Sequence, residues 1–414
     1  MPPAILAAGS AWASGAKAAS ARARVERSRN FMGKVLEVEE HWVDAPDRAC
    51  IPQRGPPGRS SQLNIPSKIE SLTRSEEFKS LSRNEFRYKT AFPCLVPKML
   101  ELRPAAQRQY IDAVAVFTAH EEALAEVAQV RGGMYWKNTG YLIRTSASGA
   151  EKSLGPRSAE TKSIFDGFTR RKAEATERLA ALKSALVEQE RLNRALRVGR
   201  IDPLVTSLLS RLAATALAEH FRVVGTHALY AYEAEAGVMF DAETVATRDI
   251  DLLWDVARRL QFATALKRVD TSMLAVLKKV DPTFRVRRSQ RYTAVNQDGF
   301  EVDILRREPV HGDPHPIRMS DDEDDLWVVQ APNAHLLLDA PAFSAVVVAS
   351  NGAMARMNTL HPLAFARFKH WMAQLPGRDA KKRQRDELQA QAAEEVVSKY
   401  LPQLERGPSG LATT

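Results

Sequence analysis

The sequence predicts an α+β protein built on a mixed sheet, with an N-terminal α+β accessory unit and a C-terminal helical region. Three observations predict it. A strand, a glycine turn and a helix follow one another in Phe221-Arg-Val-Val224, Gly225-Thr-His227 and Ala228 to Ala236. Two apolar-framed runs, Arg291-Tyr-Thr-Ala-Val295 and Phe300-Glu-Val-Asp-Ile-Leu305, flank Asn296-Gln-Asp-Gly299, which is the signal of a hairpin. Long stretches on either side carry apolar residues at helical spacing.

Taken in order, residues 1–85 read as an irregular extension: the first part is rich in Ala, Ser and Arg, and five prolines fall between 45 and 68. The Arg/Ser bias imitates a transit peptide, no basic segment precedes the apolar patch 4–13 as a secretory signal requires, and Met32 is an alternative start. Residues 86–157 form a small α+β unit: a helix over 105–130, a Gly132-Gly133 turn, a strand at 141–144 and a basic turn-rich loop at 152–158, suited to a phosphate or to solvent. Tyr135 and Trp136 suit either base stacking or packing. Ser158, with Thr161 in the place of Glu, opens a capping box for one long helix or two within a connector over 158–219; Glu174 with Arg178 and Glu190 with Arg194 dress its exposed face. Asp202-Pro203 starts a further helix. The core spans 220–330 and a C-terminal strand and helical cap spans 331–414, in which 344–349 is a buried strand. The acidic run 321–325 reads as a solvated loop.

Composition narrows the function. The 414 residues, 44% of them apolar, suffice for about two to three domains, so whole-chain disorder is excluded. No apolar run is long enough to span a bilayer, and no membrane partner is expected. Two cysteines, Cys50 and Cys94, give neither a disulfide framework nor a zinc knuckle, which fits a reducing cytoplasm. His311 and His315 sit in a proline-rich segment that reads as loop rather than metal site. A net charge of +9 favours polyanionic partners, nucleic acid or nucleotide phosphate first.

The chemistry concentrates between 221 and 305. Side chains alternate along a strand, so Asp249 and Asp251 share one face of 247–254 while Ile250, Leu252 and Trp254 share the other. The same rule sets Glu301 and Asp303 opposite Phe300, Val302 and Ile304. Gathered carboxylates repel and raise one another's pKa, a cost that a divalent cation removes. Two such ions, about 3.5–4 Å apart, suit an in-line displacement at phosphorus. Gly225 lets the backbone approach a phosphate, and the Thr226 hydroxyl and the following helix start offer donors. An acid-x-acid triplet alone is common, and an exposed polar sheet face or helix caps at Asp255 and Asp281 are the plain alternatives.

In their conjunction, 224–233, 246–254 and 300–305 resemble the nucleotidyltransferase fold of the DNA polymerase beta superfamily, and within it a bacterial stand-alone branch. The resemblance covers about residues 92–405 and includes His361-Pro-Leu-Ala-Phe-Ala-Arg-Phe-Lys369 with Arg378, Lys382, Arg385 and Asp386. It implies a transferase that moves a nucleoside monophosphate from a nucleoside triphosphate such as ATP to an acceptor hydroxyl, with two Mg²⁺, or Mn²⁺, as cofactors. Asp249, Asp251 and Asp303 are then the catalytic metal ligands. Gly225, Thr226, Lys369, Arg378 and Lys382 bind the nucleotide; the acceptor is left open among RNA or another polyanion, a protein and a small antibiotic-like molecule. For the basic residues a solvated helix face is the alternative. The interval from Gly225 to Asp249 is longer than usual for the superfamily, so 237–245 is expected to loop out, and Thr226 stands where serine or glycine is commoner. The rival functions are a non-catalytic nucleotide- or RNA-binding module, of a toxin–antitoxin or defence kind, and a sugar-nucleotide transferase.

Overall fold

A computed structural model describes residues 98–270, 272–309 and 317–405 of the chain. The expectations for 1–85, Cys50, Cys94, His311 and His315 lie outside the described residues.

The described chain opens with β1 (Met99–Glu101) and α1 (Pro104–Gln129), then β2 (Gly133–Trp136), β3 (Tyr141–Thr145) and β4 (Glu151–Pro156), which make a three-stranded antiparallel sheet, and α2 (Ala159–Leu196). Residues 152–156 are therefore mostly strand, not the expected loop, because they pair with β3. Trp136 lies 5.9 Å from the Phe165 ring with the Arg157 guanidinium at 5.2 Å, so packing accounts for it, whereas Tyr135 is exposed and donates to Glu151 at 2.6 Å. The capping box forms as read: Thr161 N–H donates to Ser158 Oγ at 3.2 Å and Ser158 N–H to Thr161 Oγ1 at 2.9 Å. Its product is one 38-residue helix. Arg178 departs from its expected partner: it crosses to Glu126 (2.5 Å) and Glu122 (3.6 Å) on α1, while Glu174 sits 4.0 Å from Arg170. Packing of α1 against α2 brings those acids nearer than the next helical turn.

The core follows as α3 (Pro203–Ala214), β5 (Phe221–Val224), α4 (Ala228–Ala236), β6 (Val238–Phe240), α5 (Ala242–Val245), β7 (Asp249–Trp254), α6 (Arg259–Val269), α7 (Met273–Lys278), β8 (Arg285–Arg287), β9 (Gln290–Val295), β10 (Glu301–Arg306) and β11 (Val329–Gln330). Asp202 caps α3 by accepting from Leu204 N–H at 2.8 Å. Six of these seven strands, all but β6, form one mixed sheet in the order β5-β7-β10-β9-β8, with β11 also beside β10. Strands β7 and β10 run parallel at its centre, and the hairpin read at 291–305 is the antiparallel β9–β10 pair. Both faces of the central strands are covered: Ile250, Leu252, Val302 and Ile304 are buried, and so are Leu253 and Leu305. Each such side chain contributes about 1.5–3 kcal/mol of burial.

Two expectations are corrected here. Residues 237–245 do not loop out. They form β6, which pairs with β1, and α5, held by an Arg200–Glu233 ion pair and by Arg200 donating to the Phe240 carbonyl at 2.6 Å. Nor is the acidic run wholly solvated: Asp325 is buried and caps α7, accepting from Met273 and Leu274 N–H at 2.9 and 2.8 Å and from Ser320 at 2.7 Å. Asp255 caps a helical turn as its plain alternative has it, accepting from Ala257 N–H at 3.1 Å.

The chain closes with α8 (Ala334–Asp339), the hairpin β12 (Ala342–Val348) and β13 (Met354–Leu360), α9 (Pro362–Ala373) and α10 (Ala380–Tyr400). One side of the hairpin, with Ala345, Val347, Ala355 and Met357, joins the main core. The other, with Val346, Val348 and Met354, packs on Ala106, Ala113 and Phe117 of α1. Two buried hydrogen bonds fix it to the core: Thr359 to the Val223 carbonyl (2.6 Å) and Tyr232 to the Leu360 carbonyl (2.8 Å).

Candidate active site

Parallel pairing of β10 with β7 places Asp303 opposite Asp251 and Glu301 opposite Asp249. Because cross-strand partners share a face, the acids meet: Asp249, Asp251 and Asp303 each offer a carboxylate oxygen within 4.8 Å of the others. Their relative exposures are 8%, 2% and 0%, so this is a buried carboxylate cluster and not an exposed polar face. Asp249 Oδ1 accepts from the Thr247 hydroxyl, and Asp303 Oδ1 from the Thr293 hydroxyl at 2.6 Å. Asp251 Oδ1 and Asp303 Oδ2 are buried with no hydrogen-bond partner among the described residues.

That arrangement is costly without a counter-charge. Burial pushes Asp303 up to about 7; the Thr293 hydrogen bond opposes this and the charges of Asp249 and Glu301 add to it. Asp251 is held well above the ordinary carboxylate range, by burial first and then by Asp249 and Asp303, with Lys369 and Arg385 opposing. Hard oxygen donors, two of them orphaned in a buried cluster, fit a divalent cation of the Mg²⁺ class.

A pH dependence follows. Asp303 folds with a raised pKa, so the folded state holds its proton more tightly than the unfolded chain, and the stability this gives is lost as pH rises from about 4 through about 7. Buried His227 works the other way: its pKa falls to about 4, so it disfavours folding as pH drops below the usual histidine value. Comparing the wild type with Asp303→Asn isolates the acid. In metal-free buffer the melting temperature of the variant should gain on the wild type from pH 5 to pH 8, and Mg²⁺ should restore the wild type only. A constant difference across that range would remove the shared-charge account.

The glycine turn sits against this cluster. Val224 pairs with Asp251, and Gly225 has φ +65°; a Cβ at 225 would run into Asp251 Oδ2. Its close neighbour in the structure is thus the Asp251 carboxylate. Thr226 is buried and accepts from Arg385 Nη2 and Gln389 Nε2, both at 3.1 Å, which leaves the hydroxyl proton for a further acceptor. His227 Nδ1 donates to the Asp249 carbonyl at 2.8 Å and so ties the turn to the start of β7.

The basic residues divide. Lys369 and Arg378 are buried, which overturns the solvated-face alternative for these two. Lys369 Nζ donates to Asp386 Oδ1 at 3.1 Å, and Arg378 grips Asp386 Oδ2 through Nε at 2.9 Å and Nη2 at 2.6 Å. Burial, set against the Asp386 attraction, holds the Lys369 pKa below its ordinary value. Lys382 is half-buried on α10. Sequence reasoning missed Arg385 and Gln389 as the side chains that reach Thr226, although their spacing from Lys382 and Asp386 already sets them on one helix face. Gln389 also donates to the Thr244 carbonyl at 2.8 Å, which locks α5 under α10.

Comparison with known proteins gives one match. Residues 204–407 match the family model described as Nucleotidyltransferase. The matched segment takes in α3, the whole mixed sheet with the three acids, the Gly225 turn and the α9–α10 pair; α1, α2 and the β2–β4 sheet precede it. No curated protein and no solved structure matches the chain. Among the described residues no helix is long and apolar enough to cross a membrane.

Proposed function

We propose that the protein is a nucleotidyltransferase of the DNA polymerase beta type, which moves a nucleoside monophosphate from a nucleoside triphosphate to an acceptor hydroxyl. The observation that carries this reading is the convergence of Asp249, Asp251 and Asp303, with two orphaned buried oxygens, inside the matched segment. Two Mg²⁺ ions, when bound, supply Lewis acidity to the reacting phosphate and its attacking and leaving oxygens. Asp249, Asp251 and Asp303 would hold the cations. Asp303 faces the acceptor, and its Oδ2 takes the hydroxyl proton as the new oxygen–phosphorus bond forms and pyrophosphate leaves. The Thr226 hydroxyl and the backbone at Gly225 contact the triphosphate, Lys369 adds positive field beside Asp251, Lys382 adds charge to the nucleotide side, and Arg378, held on Asp386, acts through its field and not by contact. A water-poor floor built from β7 and β10 strengthens each of these charges.

The test is transfer itself. The full chain with Mg²⁺ and each α-labelled nucleoside triphosphate is offered total RNA, protein and small polyhydroxyl acceptors. Covalent label on one acceptor class with release of pyrophosphate is expected; retention of nucleotide without covalent transfer in every combination would leave a binding module instead.

A further inference from the structure

The carboxylate face of the sheet does not end at the acids. Following the register outward from β7, Asp249 is opposite Glu301, Glu301 opposite Val295, and Val295 opposite Arg285. Partners in register share a face, so Arg285 on the edge strand stands in the same row as Asp249, two strand spacings or about 10 Å from β10. Arg287, two residues on, shares that face, and its guanidinium reaches back to Glu301, offsetting the second acid of the row. Val286 between them turns to the core. Arg291 on β9 lies on the acids' face as well and stacks over the Trp327 ring at 5.2 Å.

The segment feeding this edge is strongly basic. Residues 278–291 hold Lys278, Lys279, Arg285, Arg287, Arg288 and Arg291 against the single acid Asp281. Lys278, Lys279, Arg285 and Arg288 are exposed. Across two strands the face therefore changes from buried carboxylates to the exposed guanidinium of Arg285, with exposed Arg288 in the turn that follows β8. A small neutral acceptor has no use for that gradient. A chain with one reacting hydroxyl and a phosphate on each following unit does: the hydroxyl sits at Asp303 and the next phosphates meet the planar forks of Arg285 and Arg288. The Arg291–Trp327 stack adds a flat surface on which a base can lie.

We propose that the β8–β9 edge is the acceptor surface and that the acceptor is a single-stranded nucleic acid, its terminal hydroxyl at the acid cluster and its backbone along Arg285 and Arg288. The assignment rests on the transferase reading above, but its test does not require turnover. Basic residues on an edge strand also guard against strand pairing. Glutamate would guard it equally well, so charge reversal separates the two roles.

The experiment measures binding of the full chain to a labelled mixed-sequence single-stranded RNA, without nucleotide, by fluorescence anisotropy over a salt series. Arg285→Glu with Arg288→Glu should weaken binding about tenfold or more and flatten the salt slope by about 1.4, two phosphate contacts at roughly 0.7 each. Because both side chains are exposed, the melting temperature should stay within a degree or two of wild type. Asp249→Asn should keep RNA binding. Unchanged affinity and slope in the double variant, or a loss seen equally with an acidic peptide as the ligand, would overturn the acceptor assignment. Loss of RNA binding in the double variant alongside failure of every transfer assay would retain this surface while rejecting the enzyme.

Discussion

Asp251→Asn should reduce nucleotidyl transfer by about 10³-fold or more, equivalent to about 4 kcal/mol of transition-state stabilisation, while the metal-free protein melts at or above the wild-type temperature. The two effects have one cause. Asp251 is 2% exposed, faces two other carboxylates, and has an oxygen without a donor, so its charge is a liability until a cation arrives. Asparagine keeps the shape and removes the repulsion, and its amide can donate toward the neighbouring carboxylates that lack a partner. The same change deletes a hard anionic ligand, so the cation that would repay the wild type binds poorly. Adding Mg²⁺ should raise the melting temperature of the wild type and leave the variant nearly unmoved. Label transfer and a thermal melt with and without Mg²⁺ check both halves; a variant that keeps transfer ends the metal-ligand assignment.

Much of this site was legible because β7 and β10 obey a two-residue period under strong apolar framing. Ile250, Leu252, Val302 and Ile304 cannot face water, so Asp249, Asp251 and Asp303 had to share the other side of their strands. What period alone does not reveal is which strand lies beside which. The parallel pairing of β10 with β7 depends on a crossover through α6, α7, β8 and β9, and it is this pairing that brings Asp303 to Asp251. Segment 237–245 was misread for the same reason: its partner strand, β1, lies more than a hundred residues earlier, so the pairing leaves no local mark. Asp325 and Lys369 show a second limit. A charge in an acidic or basic run looks solvated until its partner is known, and Met273, Leu274 and Asp386 are remote from the runs in which these charges sit. Arg285 went unnoticed because its meaning comes from the row it shares with Asp249, which only the register discloses.

Asp386→Ala is expected to be the most destabilising single change in the C-terminal helices, costing about 3–5 kcal/mol. Asp386 accepts from Lys369 and Arg378 at once, and the three side chains are 1%, 1% and 4% exposed. Removing the acid takes the carboxylate they share from two buried cations, and the melting temperature should fall on the order of 10 °C. The two cations respond differently. Arginine cannot shed its proton, so the charge of Arg378 persists in its buried place without the Asp386 carboxylate. Lys369, whose pKa burial already lowers, can neutralise. The variant therefore folds with fewer protons than its unfolded chain binds, and its stability should rise as pH increases toward the ordinary lysine value, narrowing the gap to wild type. Lys369→Met should cost far less, since Asp386 keeps the bidentate Arg378 grip. The loss should also reach the site. Asp386 lies on α10 one position from Arg385 and three from Gln389, which hold Thr226, and its partner Lys369 is among the charges that temper Asp251. Thermal melts at pH 7 and pH 9.5, beside transfer assays below the melting point, decide it: a deficit that does not shrink at the higher pH would mean that Lys369 does not give up its proton when Asp386 is gone.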